Sequence, residues 1–272
     1  MPETPNKKFV KLKQILKELE SVVVAYSGGV DSSFVLKIAY DVLEDRVQAV
    51  TAVSPSLPAR ELEQARQVAR WIGAPHVEIE SHELEDANYL ANTPQRCFFC
   101  KNEVYSLLAD HARQNGLQVV VDGTNADDLN DHRPGRQAAR EHGVRSPLQE
   151  AGLSKAEIRS LAREMGLPNW DKPAAACLSS RVPYGTLISI PVLKQIETAE
   201  RTLLDLGFRE VRVRCHDQIA RIEISPDDFD ELLGQREKIL ESMKSLGFVY
   251  ITLDLAGFRS GSLNEALIKH GR

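Results

Sequence analysis

The stretch that most constrains the fold is Val22–Phe34, VVVAYSGGVDSSF. A short, continuous apolar run bounded by turn residues fits a strand buried on both faces. Here the run ends on a Gly pair, followed by an Asp and two Ser at the head of a helical pattern that continues to Leu43. A helix start exposes unpaired backbone N–H groups and the positive end of the macrodipole, both of which favour an anion. Glycines let the backbone close on a phosphate, and Ser27, Ser32 and Ser33 add hydroxyl donors. The loop is neither a Walker A sequence nor a dinucleotide-binding Gly-x-Gly-x-x-Gly.

The same strand-then-helix rhythm continues through two thirds of the chain. Predicted strands are Val22–Tyr26, Val47–Val53, Val77–Glu80 and Gln118–Asp122. Predicted helices lie near Ser33–Leu43, Ala59–Ile72, Lys101–Gln114 and Ser154–Met165. This alternation specifies an α/β fold, a parallel sheet with helices on both faces, which binds ligands at the carboxyl ends of its strands. From Asn169 to Ile190 the periodicity lapses into a Pro-, Gly- and Ser-bearing loop. Beyond it the order is helix Val192–Leu206, strands Glu210–Arg214 and Ile219–Ile224, helix Pro226–Leu246 and strand Val249–Leu253. The expectation is a nucleotide domain over 1–185 and a small α+β domain over 186–272, serving substrate or oligomer contacts.

The net charge of −5 argues against indiscriminate binding to nucleic acid or an anionic membrane. No apolar run approaches the roughly 20 residues of a membrane span, and the start has no signal-peptide apolar region. The chain is therefore read as cytoplasmic. Four cysteines in a reducing compartment call for a role other than disulfides.

Ser27-Gly28-Gly29-Val30-Asp31-Ser32 resembles the PP-loop of the ATP pyrophosphatases, a superfamily that includes GMP synthetase, NAD synthetase and the tRNA thiolases. The resemblance implies ATP cleavage between the α- and β-phosphates, with pyrophosphate held by the loop and an adenylylated intermediate. Asp31 so close to a polyphosphate would repel it unless Mg²⁺ lies between them. A second acidic loop, DGTNADDLND, falls at the same sheet edge. There Gly123, Thr124 and Asn125 can approach the nucleotide, and Asp128 is the second Mg²⁺ candidate. Ala25 and Val53, at the ends of the first two strands, are candidates to flank the adenine, and Lys172 is a further ATP-binding candidate.

Cys97 and Cys100 stand three apart at a helix start, on one face, where the dipole favours their thiolates. Alone, such a pair is compatible with redox, zinc or iron–sulfur roles. Cys177 lies in KPAAACLSSR, a loop that resembles the superfamily's substrate-side segment. Three cysteines at one site would leave one iron of a 4Fe–4S cluster without a protein ligand, able to hold a sulfide. Cys215, in a strand beside two arginines, reads as an ordinary half-buried residue.

SGGVDSSF, DGTNADD, CLSSR, RVRCHDQIARIE and LDLAGFRSGSLNEAL together resemble the LarE family of ATP-dependent sulfur transferases over nearly the whole chain. The resemblance implies adenylylation of a pyridinium dicarboxylate mononucleotide and replacement of oxygen by sulfur, in biosynthesis of the nickel-pincer nucleotide of lactate racemase. It further implies an outside sulfide donor, a homo-oligomer, and a three-cysteine 4Fe–4S branch built on Cys97, Cys100 and Cys177. Some members instead sacrifice a single cysteine at the position of Cys177. Asp31, Lys101 and Cys177 are the catalytic candidates. Ser180, Arg181, Arg212 and Arg214 are candidates for the substrate phosphate, and Glu200 with Glu223 for a second cation. A tRNA thiolase is the competing reading, against which the C-terminal part shows no basic excess.

Overall fold

The computed structural model describes residues 4–130, 135–259 and 261–264. In chain order the regular elements begin with α1 (Pro5–Glu18), β1 (Val22–Ala25), α2 (Val30–Leu43), β2 (Val47–Val53), α3 (Ala59–Ile72) and β3 (His76–Glu80). They continue with α4 (Ala87–Leu90), α5 (Arg96–Gln114), β4 (Val119–Val121), α6 (Gly135–Glu141), α7 (Pro147–Ala151) and α8 (Lys155–Glu164). The last are α9 (Ile190–Asp205), β5 (Arg212–His216), β6 (Ile219–Glu223), α10 (Phe229–Gly234), α11 (Arg236–Ser245) and β7 (Tyr250–Leu253).

Two compact units result. One holds the described residues up to Glu83 together with Gln95–Ala175; the other holds Leu84–Pro94 and the described residues from Ala176 on. The sequence places the division at 185/186, ten residues later. The cause is local hydrogen bonding that periodicity does not reveal. Asn92 donates its amide to the carbonyls of Val182 (3.2 Å), Pro183 (2.8 Å) and Thr186 (3.1 Å), and Tyr89 bonds Ser179 at 2.6 Å. Segment 84–94 and the loop after Ala176 are thereby tied together.

The first unit is built on a four-stranded parallel sheet of order β3-β2-β1-β4. In β1 the side chains alternate between faces, as any strand requires. Val22 and Val24 enter a large core with Leu12 and Leu16 of α1, Phe34 and Leu36 of α2, Val68 of α3 and Ile158 of α8. Val23 enters a smaller core on the other face with Val50, Val120 and Leu108 of α5. Both faces are covered, which is why the strands read as unbroken apolar runs. β2 and β3 lie to one side of β1 and β4 to the other, so the strand order reverses beside β1. Loops that leave β1 and β4 at their carboxyl ends flank that switch point, where such sheets bind ligands.

The second unit carries a three-stranded mixed sheet, β5-β6 antiparallel and β6-β7 parallel. α9 and α11 contribute buried Leu193, Ile196, Leu203, Ile239 and Met243, and the sheet contributes Val213, Ala220 and Ile222. The single helix expected over Pro226–Leu246 is two, because the chain leaves helical geometry at Gln235, between α10 and α11. Its first strand runs from Arg212 to His216, two residues beyond the expected span. No helix among the described residues is long and apolar enough to cross a membrane.

Candidate active site

The loop after β1 is a glycine-dependent turn held by its own serines. Gly28 has φ +69°, and a Cβ there would sit 2.7 Å from Ala65 Cβ, so only glycine fits. Ser32 Oγ accepts from Ser27 N–H at 3.3 Å, lies 3.1 Å from Ser27 Oγ and donates to the Gly29 carbonyl at 3.2 Å. Gly29 is the N-cap of α2 without any capping side chain. The first N–H groups of the helix are thus left to an outside anion.

The loop after β4 closes against it. A Cβ on Gly123 would fall 2.7 Å from the backbone N of Ser32, so here too the approach of the two loops requires glycine. Asp122, 6% exposed, anchors this loop by accepting from Tyr105 Oη (3.0 Å), Thr124 N–H (3.1 Å), Thr124 Oγ1 (2.8 Å) and Ser146 Oγ (2.8 Å). Asn125 bridges the two acids expected to share a cation. Its side chain donates to Asp31 Oδ2 at 3.1 Å, and its N–H donates to Asp128 Oδ2 at 3.1 Å. The other oxygen, Asp31 Oδ1, is buried with no hydrogen-bond partner among the described residues. Burial holds the Asp31 carboxyl above its ordinary range and Asp128 adds to this, while Lys155 and Asn125 draw it down. An unpartnered carboxylate oxygen beside a second carboxylate suits a hard cation that takes one or two protein carboxylates and completes its shell with phosphate and water.

Around this centre the remaining expected residues fall as follows. Lys172 Nζ donates to the Gly28 carbonyl at 3.2 Å and pairs with Glu61 at 2.7 Å. Ala25 ends β1, and the Val53 carbonyl at the end of β2 already accepts from Ser81 N–H at 2.9 Å. Lys101 Nζ stands 5.2 Å from the centre of the Tyr105 ring, whose phenol is pushed up to about 12 by burial. Sequence reasoning missed Asn125 as a bridge and Glu83 altogether. Glu83, 2% exposed, accepts from Ser54, Ser56 and Ser81 and so fastens together the loops that follow β2 and β3. Three serines that precede Glu83 by 29, 27 and 2 residues carry no periodic signal.

Helix α5 begins at Arg96, five residues before the expected Lys101, and Cys97 and Cys100 are its second and fifth residues, at the helix start. Cys97 is exposed and Cys100 half-buried, and no disulfide engages either. Among the described residues of this unit the pair supplies two thiol donors, and no further His, Cys, Asp or Glu completes a group of three. Cys177 belongs to the other unit.

In that second unit, Cys177 is half-buried at the head of a short 3-10 turn, Leu178–Arg181. Its carbonyl accepts from Ser180 N–H (3.0 Å), Ser180 Oγ (2.8 Å) and Arg181 Nη1 (3.1 Å). Arg181 pairs bidentately with Glu200, at 2.8 and 3.1 Å. Arg214 pairs likewise with Glu223, at 2.5 and 3.0 Å, and donates to the Ser180 carbonyl at 2.7 Å. Arg221 reaches Glu223 as well, at 3.0 Å. Glu200 and Glu223 are thus already occupied by guanidinium groups. The charge of both carboxylates is thereby neutralised from within.

Arg212 differs from these arginines. It is 7% exposed, lies 4.4 Å over the Phe258 ring and, among the described residues, donates only to the Arg259 carbonyl at 3.2 Å and has no carboxylate partner. Burial lowers its pKa first, and Arg181 and Arg214 add to the effect. Three buried arginines against two buried glutamates leave one positive charge for an anion. Cys215 is buried against Gln195 and Asp217, and burial raises its thiol pKa, consistent with an ordinary core residue. Asp131, Ser260 and residues 265–267 of the resemblance-bearing motifs lie outside the described residues.

A parallel sheet carrying a Ser-Gly-Gly-Val-Asp-Ser loop at its switch point defines a nucleotide domain of the PP-loop ATP pyrophosphatase type. A family model described as asparagine synthase matches residues 13–176. Over its whole length the chain is similar to an uncharacterized protein of Synechocystis, at 46% identity covering 96% of this chain and 98% of that one. It is 44% identical to the pyridinium-3,5-bisthiocarboxylic acid mononucleotide synthase of Lactiplantibacillus plantarum, covering 96% and 95% of the two chains. An uncharacterized protein of Methanocaldococcus jannaschii is 31% identical over 93% and 98%. The chain belongs to the family of that synthase, within the PP-loop ATP pyrophosphatases.

Proposed function

We propose that this chain is an ATP-dependent sulfur-inserting enzyme that acts on a pyridinium dicarboxylate mononucleotide in nickel-pincer cofactor synthesis. The observation that carries the reading is Asp31 Oδ1, a buried carboxylate oxygen at the head of α2 without a partner among the described residues. The loop Ser27–Ser32, with Gly123 and Thr124 opposite, holds the pyrophosphate of ATP. Asp31 and Asp128 would hold Mg²⁺, which supplies charge neutralisation between carboxylate and phosphate. A substrate carboxylate oxygen attacks the α-phosphorus, the bond to the bridging oxygen breaks, and pyrophosphate leaves. Sulfide then displaces AMP from the acyl carbon. The protein's part in the first step is alignment and preorganised charge rather than covalent help.

Arg212 is assigned to the substrate's phosphate, with Ser180, Arg181 and Arg214 building the frame that keeps it unpaired. Cys97, Cys100 and Cys177 are proposed as ligands of a 4Fe–4S cluster, whose remaining iron would supply a place for sulfide. The reading is supported by two thiols in one helix turn and by the resemblance at Cys177. The experiment combines ATP, Mg²⁺ and the mononucleotide under anaerobic conditions with a sulfide source, and reads AMP, pyrophosphate and thiocarboxylate. ADP and free phosphate would overturn it, as would thiolation of tRNA in place of the mononucleotide. Iron and sulfide analysis tests the cluster separately. Loss of about 34 Da at Cys177 in the intact-protein mass, from removal of H₂S, would replace the cluster by a sacrificed cysteine.

A further inference from the structure

We infer that Asn169, outside every motif of the loop, is the positioning residue that fixes the Gly28–Gly29 peptide and thereby aims the Gly29 N–H at the pyrophosphate; this rests on the reading of the loop given above. Asn169 is 8% exposed and lies beyond α8, 141 residues from Gly28 in the chain. Its Nδ2 donates to the Gly28 carbonyl at 3.0 Å and to Ser33 Oγ at 3.0 Å. A carbonyl can only accept, so the amide orientation is fixed by that contact. Lys172 Nζ reaches the same carbonyl from the same connecting segment, at 3.2 Å.

The consequence follows from peptide geometry. In a planar trans peptide the C=O of one residue and the N–H of the next point to opposite sides. Two donors pulling the Gly28 carbonyl inward therefore turn the Gly29 N–H outward, and no peptide bond among the described residues is cis to alter that relation. Among the described residues that N–H has one partner, Ser27 Oγ, at a long 3.4 Å. A peptide flanked by glycine on both sides has little steric resistance to flipping. Unclamped, it could turn its carbonyl toward the ligand and present negative charge to a polyanion. The clamp also carries a cost: Asn169 Oδ1 is buried without a donor among the described residues. A side chain selected for packing alone would not leave that acceptor stranded.

The test measures binding of inorganic pyrophosphate with Mg²⁺ to the full-length protein by calorimetry, alongside thermal unfolding. Asn169→Asp keeps the shape, removes both donations and faces a carbonyl with a carboxylate. It should weaken pyrophosphate binding by about tenfold or more and raise KM for ATP by a similar factor. Asn169→His, which returns an N–H near the same place, should recover most of the loss. Should Asn169→Asp not fold, Asn169→Ser gives the same comparison, because its shorter hydroxyl cannot span both acceptors. A folded Asn169→Asp that binds pyrophosphate as tightly as wild type overturns the inference. So does a loss of affinity in every variant, Asn169→His included, in proportion to lost thermal stability. Failure of wild type itself to bind pyrophosphate would sink the reading of the loop beneath it, which is a different result.

Discussion

The two charged clusters of this protein are built on opposite principles. In the nucleotide unit, polar groups are left incomplete: among the described residues, Asp31 Oδ1 and Asn169 Oδ1 are buried without partners and α2 has no side-chain N-cap. In the second unit, Arg181, Arg214, Glu200 and Glu223 complete one another, and of the three buried arginines Arg212 has no counter-charge among the described residues. An incomplete site gains its missing interactions only when ligand arrives. A self-neutralised frame is finished at folding and offers one residual charge. The first arrangement suits a polyanion brought with its own cation, and the second a single phosphate recognised by position.

The comparison breaks most decisively at Asp31. Asp31→Asn should lower AMP and pyrophosphate formation by at least about 10³-fold, the scale for removing a preorganised electrostatic partner. Yet it should not destabilise the empty protein. Burial raises the Asp31 pKa, so the folded form loses stability as pH rises through that value and the buried charge forms. Asp31→Asn removes that loss, and its melting temperature near neutral pH should match or exceed that of wild type. By the same sign, stabilisation by Mg²⁺ and pyrophosphate should grow more steeply from acid toward neutral pH in wild type than in the variant, which lacks the contribution of Asp31. A marked fall in the melting temperature of Asp31→Asn would mean the carboxylate is structural.

The second unit should behave in reverse. Glu223, 0% exposed, neutralises Arg214 at 2% and also accepts from Ser262. Glu223→Ala would strand a buried guanidinium at a cost of roughly 3–5 kcal/mol, read by denaturant unfolding. Nucleotide binding, measured where the variant is folded, should be unchanged. A loss below about 1 kcal/mol would show that the frame is not closed.

Arg212 is the exception within its own unit and sharpens the contrast. Arg212→Ala should weaken substrate binding by about 1.5–3 kcal/mol, the range for a hydrogen bond to a charged group. It should cost less stability than Glu223→Ala and leave ATP binding intact. Equal weakening of both ligands would mean that it supports structure instead. The smallest effect belongs to Arg221, a partly exposed third partner of Glu223. Arg221→Ala should change stability by less than about 1 kcal/mol, since solvent screens such pairs. A larger loss would make Arg221 part of the buried frame.

The sequence alone determined the strand–loop–helix at Val22–Phe34, the parallel sheet and the two acids Asp31 and Asp128. Each rests on a local signal: an apolar run, adjacent glycines, carboxylates at a strand end. It also located Arg212 and Arg214 on one strand, because a two-residue period is visible without a fold. It did not show that Arg214 and Arg181 are already neutralised by Glu223 and Glu200 while Arg212 is not. Nor did it show that segment 84–94 leaves its neighbours in the chain to join the loop after Ala176. Asn169 is the sharpest case, donating to a carbonyl 141 residues away. Hydrogen bonds and ion pairs between distant segments have no period and no spacing rule. Whether a polar side chain ends paired, neutralised or stranded is settled only when packing brings its partners within about 3 Å.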